Sequence, residues 1–205
     1  MKIGRVEISL LALPLWGLLL LWNDRNMILL LLSCAVVHEA GHFIAILLSG
    51  AKIECFRLGV TGASIRMGET LLSYRKEIWI YLSGGLCNLL YAVVCFFLIR
   101  HSYHDNLLFL FFSNLFFCVF NLLPIGGLDG GEAIKSYLSL KTDPMQSDNI
   151  CRGVSAAGLF CLFWISCLLL VWSKCNMSLF IICLSLMINL KDQTSVGRKN
   201  LSRQG

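Results

Sequence analysis

Six runs of apolar residues, each close to the length of a bilayer-crossing helix, constrain this chain more than any other feature. A helix needs about 20 apolar residues to span the hydrocarbon core, with a usual range of about 17–25. The runs fall near Val6–Trp22, Met27–Leu48, Ile78–Ile99, Leu107–Leu123, Val154–Trp172 and Met177–Leu190. The first contains Pro14 and opens beside Glu7, and the last is short. Of the 205 residues, 57% are hydrophobic and only 14% charged, against about 25% charged in soluble domains. A water-soluble globular domain and a disordered chain are both excluded. The expected fold is an all-α membrane protein of six transmembrane helices, with residues 1–205 as a single membrane-embedded domain.

The loop charges orient these helices. With the N-terminus in the cytoplasm, the inner segments hold fourteen of the 17 Lys and Arg residues, and the outer loops keep only Arg25, Arg100 and Lys174. That bias fits the positive-inside rule with both termini cytoplasmic and an even number of crossings. The net charge of +5 therefore reads as membrane orientation, and no nucleic-acid partner is expected. Seven of the ten cysteines lie inside apolar runs and no C-x-x-C pair occurs, so they read as small hydrophobes. Lys2 and Arg5 before an apolar run suggest a signal peptide, but no A-x-A-type cleavage site follows, so an uncleaved first helix is expected.

Two connections depart from the helical pattern. Ala51–Ser73 mixes Gly59, Gly62 and β-branched residues across Cys55–Met67, which predicts a small β-hairpin between the second and third spans. Its free edges suit pairing with an extended substrate segment as well as they suit a plain cytoplasmic connection. After Leu123, one proline and four glycines occur in eight residues, from Pro124 to Gly131. A continuing helix is excluded there.

The second apolar run contains His38-Glu39-Ala40-Gly41-His42. Positions four apart share a helix face, so both imidazoles can ligate one metal ion, and the carboxylate between them can act as general base toward a water there. An acid in lipid costs about 2.5–3.5 kcal/mol on insertion scales. His38 falls eleven residues into the run, about 16 Å along a helix, near the middle of a core ~30 Å thick. Helix-to-helix gluing explains one such polar residue but not the trio.

Catalytic zinc usually takes three protein ligands. Asp129 follows the fourth run on the cytoplasmic side, the end toward which the second run also travels. Gly126, Gly127, Gly130 and Gly131 allow tight turns and close approach around it. Glu132 is near but less well framed, while His101 and His104 fall in the outer loop, across the membrane from His42. Asp129 is therefore the expected third ligand. To reach the depth of His38, its loop must fold inward or the fourth helix must unwind early, near Asn121. In the third run, Gly84 and Gly85 permit close packing, and Asn88 suits an oxyanion donor, a substrate contact or an interhelical bond.

His38-Glu39-x-x-His42, Gly84-Gly85-x-x-Asn88, and Asn121-x-x-Pro124 leading to Leu128-Asp129-Gly130-Gly131 resemble, in order and spacing, three signatures of the site-2 protease family of intramembrane zinc metalloproteases. Together they cover about Met27 to Glu132, the family's catalytic core. The six-span layout and small size resemble the stage IV sporulation protein FB branch, which cleaves a membrane-associated sigma-factor precursor. The resemblance implies that His38, His42 and Asp129 ligate Zn2+, that Glu39 activates water, and that Asn88 helps position substrate. Many members carry a second proline where Gly126 or Gly127 stands here. Only Lys191–Gly205 follows the last run, so no CBS or PDZ domain is expected.

The function implied is an intramembrane metalloendopeptidase acting on a membrane-associated regulatory protein, such as a sigma-factor precursor or an anti-sigma factor. Its expected partners are that substrate, the lipid bilayer and membrane inhibitor or regulator proteins, in a bacterial cytoplasmic membrane. The rival is a zinc-binding membrane protein without hydrolysis, a transporter or a scaffold. A transporter needs ionisable residues along a route through several spans, and spans three to six contain almost none.

Overall fold

The computed structural model describes residues 2–3, 6–8, 25–50, 53–59, 62–67, 73–172 and 186–187. In chain order these form β1 (Lys2–Ile3), β2 (Val6–Ile8), α1 (Arg25–Ser49), β3 (Ile53–Gly59), β4 (Gly62–Met67), α2 (Tyr74–His101), α3 (Asp105–Asn121), α4 (Asp129–Ser139) and α5 (Pro144–Trp172). The architecture is helical. Among the described residues, three segments are long and apolar enough to cross a membrane: Asn26–Ser49, Tyr74–His101 and Met145–Leu168. At ~1.5 Å per residue, α2 extends about 42 Å and the 17-residue α3 about 26 Å.

The expected boundaries need two corrections. The run at Val6–Trp22 does not start as a helix: Val6, Glu7 and Ile8 form β2 and pair in parallel with Phe56, Arg57 and Leu58 of β3. Two β-branched residues flanking an acid suit a pleated strand, and β3 offers it an edge. The remainder of that run lies outside the described residues, as does the run at Met177–Leu190 except for Leu186 and Met187. The second correction concerns α5, which opens at Pro144, ten residues before the expected span, because its polar first turns continue the membrane helix outward. Extended structure reaches beyond Ala51–Ser73. β1 pairs antiparallel with β2, β3 pairs antiparallel with β4 from Ile53↔Met67 to Gly59↔Gly62, and the order is β1-β2-β3-β4.

α2 is the central helix, packed against α1, α3 and α4. Its buried face runs Ile80, Gly84, Asn88, Ala92, Cys95, steps of three and four that keep one stripe inward. Trp79, Leu90 and Phe97 stand outward on the same helix. In lipid, apolar burial supplies no drive for helices to associate, so close packing of small residues takes its place; Gly84, Gly85 and Ala92 are the small members here. One cluster, Cys34, Cys95 and Leu110, joins α1, α2 and α3; another, Ile125, Leu128, Leu159 and Leu186, joins the α3–α4 connection to α5. The ends of three helices are tied together by side chains. Lys76 Nζ donates to the Ser49 carbonyl at 2.9 Å, closing the C-terminus of α1, and Ser136 Oγ donates to Glu77 Oε2 at 2.8 Å.

Candidate metal centre

His38 and His42 lie near the middle of α1, one turn apart, on the face that meets α2. Their Nε2 atoms approach to 3.1 Å, with ring centroids 4.7 Å apart and planes at 85°. Asp129 Oδ2 completes a triangle, 3.0 Å from His38 Nε2 and 3.1 Å from His42 Nε2. The side chains of His38, His42 and Asp129 are 8%, 12% and 20% exposed, so the triangle is nearly shielded from its surroundings.

The chain between α3 and α4 explains how an acid so far along the sequence reaches mid-helix depth. α3 stops at Asn121, residues 122–128 are non-helical, and Gly127 turns the chain at φ 89°, a conformation that costs glycine little. α4 then begins at Asp129 itself, which places the carboxylate at the positive end of a helix. That first turn nests against the loop. A Cβ on Gly130 would lie 2.2 Å from the Leu122 carbonyl oxygen, and one on Gly131 would lie 2.2 Å from that of Ile125. Early termination and the inward fold both occur.

The surroundings fix the donors. His42 Nδ1–H donates to the Ile80 carbonyl at 2.7 Å, which leaves the Nε2 lone pair of the neutral ring facing Asp129. Gly84 lies under both imidazoles, where a Cβ would fall 2.4 Å from His42 Nε2 and 2.8 Å from His38 Cε1. His38 Nδ1 is buried with no hydrogen-bond partner among the described residues.

A lone pair and a carboxylate 3.1 Å apart call for a shared cation. Zinc bonds to imidazole and carboxylate are about 2.0–2.2 Å, and a tetrahedral face with such bonds has edges of roughly 3.3 Å. Edges of 3.0–3.1 Å match that face closely, and the donor set, two nitrogens and one oxygen, is of zinc type. His38, His42 and Asp129 are also the metal-capable group found among the described residues.

Other candidates fall elsewhere. Glu39 is half-buried beside the pair, close enough for its charge to interact with His42. Asn88 is fully buried one turn beyond Gly84, and neither amide atom has a partner among the described residues. Glu132 is not in the triangle; its Oε1 accepts the Gly127 N–H at 3.2 Å. His101 ends α2 and His104 bonds Ser102 at 3.2 Å, far from the site. Sequence reading missed the Ile80 carbonyl, a backbone contact that leaves no mark in residue types.

Comparison with known proteins bears on the same residues. The sequence profile described as Peptidase family M50 matches residues 26–105, which covers α1 with both histidines and all of α2, but not Asp129. That stretch is less than half of the 205-residue chain. The chain is 26% identical over 165 residues to a zinc metalloprotease of Methanocaldococcus jannaschii, covering 78% of this chain and 46% of that protein. It thus spans about half the length of that curated relative. Its fold is similar to a solved site-2 protease from the same organism, with a TM-score of 0.67, 23% identity, and coverage of 94% of this chain and 92% of that one.

Proposed function

We propose that the protein is an intramembrane zinc metalloendopeptidase, and the single observation that carries this reading is the His38–His42–Asp129 triangle beside Glu39 in a membrane-type helix bundle. When bound, zinc lowers the pKa of water toward about 7 and polarises a carbonyl. The protein's own residues do the rest. Glu39 takes the proton of the attacking water and delivers it to the amide nitrogen of the leaving fragment, as a general base and then a general acid. Ile80 holds His42 in the tautomer that presents Nε2. Asn88 contacts the substrate chain, for which its unpartnered amide offers both a donor and an acceptor.

The substrate is a membrane-associated protein whose helix must unwind, since hydrogen bonds within a helix shield its carbonyls. The six-span layout and small size resemble the sporulation branch, which supports a regulatory substrate such as a sigma-factor precursor or anti-sigma factor. Six spans with both termini in the cytoplasm follow from the apolar runs and the charge bias, and pairing of β2 with β3 supports a shared side for the N-terminal strands and the loop after α1.

Glu39→Gln separates this reading from a zinc-binding transporter or scaffold. The variant is expected to retain zinc at the wild-type stoichiometry while cleavage of a co-expressed membrane-tethered sigma or anti-sigma factor from the same genome disappears. Undiminished cleavage would falsify the mechanism.

A further inference from the structure

We infer that α5, which contributes no ligand, positions the metal-binding carboxylate through Ser155: its hydroxyl holds the loop that carries Asp129, and so sets the zinc affinity of the site. The inference rests on the zinc-site reading above and adds a residue to it.

The loop 122–128 satisfies some of its amides internally. Ile125 N–H donates to the Leu123 carbonyl at 2.8 Å and Leu128 N–H to that of Ile125 at 3.0 Å. The amides of Gly126 and Gly127, at the bend itself, bond side chains of α5 and α4 respectively. Gly126 N–H donates to Ser155 Oγ at 2.8 Å, and Gly127 N–H to Glu132 Oε1. An amide left unpaired in such surroundings costs about 1–3 kcal/mol, and here Ile125 and Leu128 on either side are 1% and 5% exposed. These two acceptors therefore help to hold the bend in position.

Ser155 acts with its neighbours on α5. Ser155, Gly158 and Leu159 share one helix face, and each meets the loop. A Cβ on Gly158 would lie 3.0 Å from Ile125 Cγ1, and Leu159 packs in the cluster with Ile125 and Leu128. Ser155 is 2% exposed, so its hydroxyl is committed to this contact. Only Gly127 and Leu128 lie between Gly126 and Asp129, so a shift of the bend moves Oδ2 relative to two imidazoles held on α1. Second-layer partners of this kind typically change metal affinity 10- to 100-fold.

The test compares Ser155→Ala, Ser155→Thr and Ser166→Ala by titration of zinc against a chelator, and by melting of the metal-free and zinc-loaded forms. Ser166 is a suitable control: equally buried on the same helix, it donates to the Phe163 carbonyl at 3.0 Å, within its own helix. Ser155→Ala is expected to weaken zinc binding about 10-fold or more and to shrink the melting shift that zinc produces. Ser155→Thr, which restores the hydroxyl, and Ser166→Ala should both keep the wild-type zinc affinity. Wild-type affinity in Ser155→Ala overturns the inference, as does equal weakening in Ser166→Ala. Lower melting of both forms with the zinc shift intact overturns it too, by showing a structural serine. A wild-type chain that binds no zinc contradicts the enzyme reading itself, a distinct result.

Discussion

At the scale of single residues, the centre depends as much on what is missing from Gly84 as on what His38 and His42 supply. The glycine is the floor beneath both rings, and any side chain there would occupy ring space. Gly84→Ala is expected to displace the imidazoles and weaken zinc binding about 10-fold or more, as second-layer changes do. Gly85→Ala should be tolerated, because a Cβ there meets only the Leu122 side chain at 3.5 Å, an ordinary contact. Chelator titration of the two variants checks the pair, and similar behaviour from both contradicts this picture of the floor. The histidines, the glutamate between them and the glycine-framed aspartate are all legible in the amino-acid sequence, because each is the wrong residue type for lipid and has a chemical reason to be there. Gly84 was legible only as a small residue permitting close packing; that the close neighbour is the ligand pair is a fact of three dimensions. Ser155 left no signal at all, since one serine in an apolar helix reads as neutral.

At the scale of elements, α4 begins where the metal ligand is needed because its first turn lacks side chains. The Leu122 and Ile125 carbonyls occupy the space that Cβ atoms on Gly130 and Gly131 would take. These contacts are with backbone, which cannot rotate away. Gly130→Ala is therefore expected to undock the first turn of α4, remove zinc and lower the melting temperature, at a cost at or above the usual 1–3 kcal/mol of overpacking. Gly153→Ala on α5 has nothing within 4 Å of the new methyl group and should be neutral, or stabilising by up to about 1 kcal/mol through helix propensity. Zinc content and thermal melts of the two variants check the contrast. The end of α3 at Asn121 and the break after it were readable from proline and glycine. The start of α5 was not, because Gln146, Ser147, Asp148 and Asn149 look like loop residues, although a helix leaving a membrane can carry polar turns. The pairing of β2 with β3 was equally hidden, since three residues are too few for alternation to compete with the apolar run that follows.

At the scale of the whole molecule, the bundle solves one problem: keeping polar ligands at mid-helix depth in a chain that is otherwise apolar. Large hydrophobic residues such as Leu48, Leu90, Phe97, Phe160 and Trp164 face outward, while the polar groups that tie α1, α2 and α4 together gather at one end, at Ser49, Lys76, Glu77 and Ser136. The ligand triangle lies about 10 Å inside that end, seven residues from His42 to Ser49 along α1. The most direct test of the centre is zinc X-ray absorption on the purified protein, in parallel with Asp129→Asn and His42→Ala. The expected spectrum has two imidazole nitrogens and one carboxylate oxygen at about 2.0–2.2 Å, with one zinc per chain, and zinc is lost or its oxygen and nitrogen shells depleted in the variants. A first shell of sulfur at about 2.3 Å, drawn from the ten cysteines, or zinc that both variants hold unchanged, contradicts the assignment.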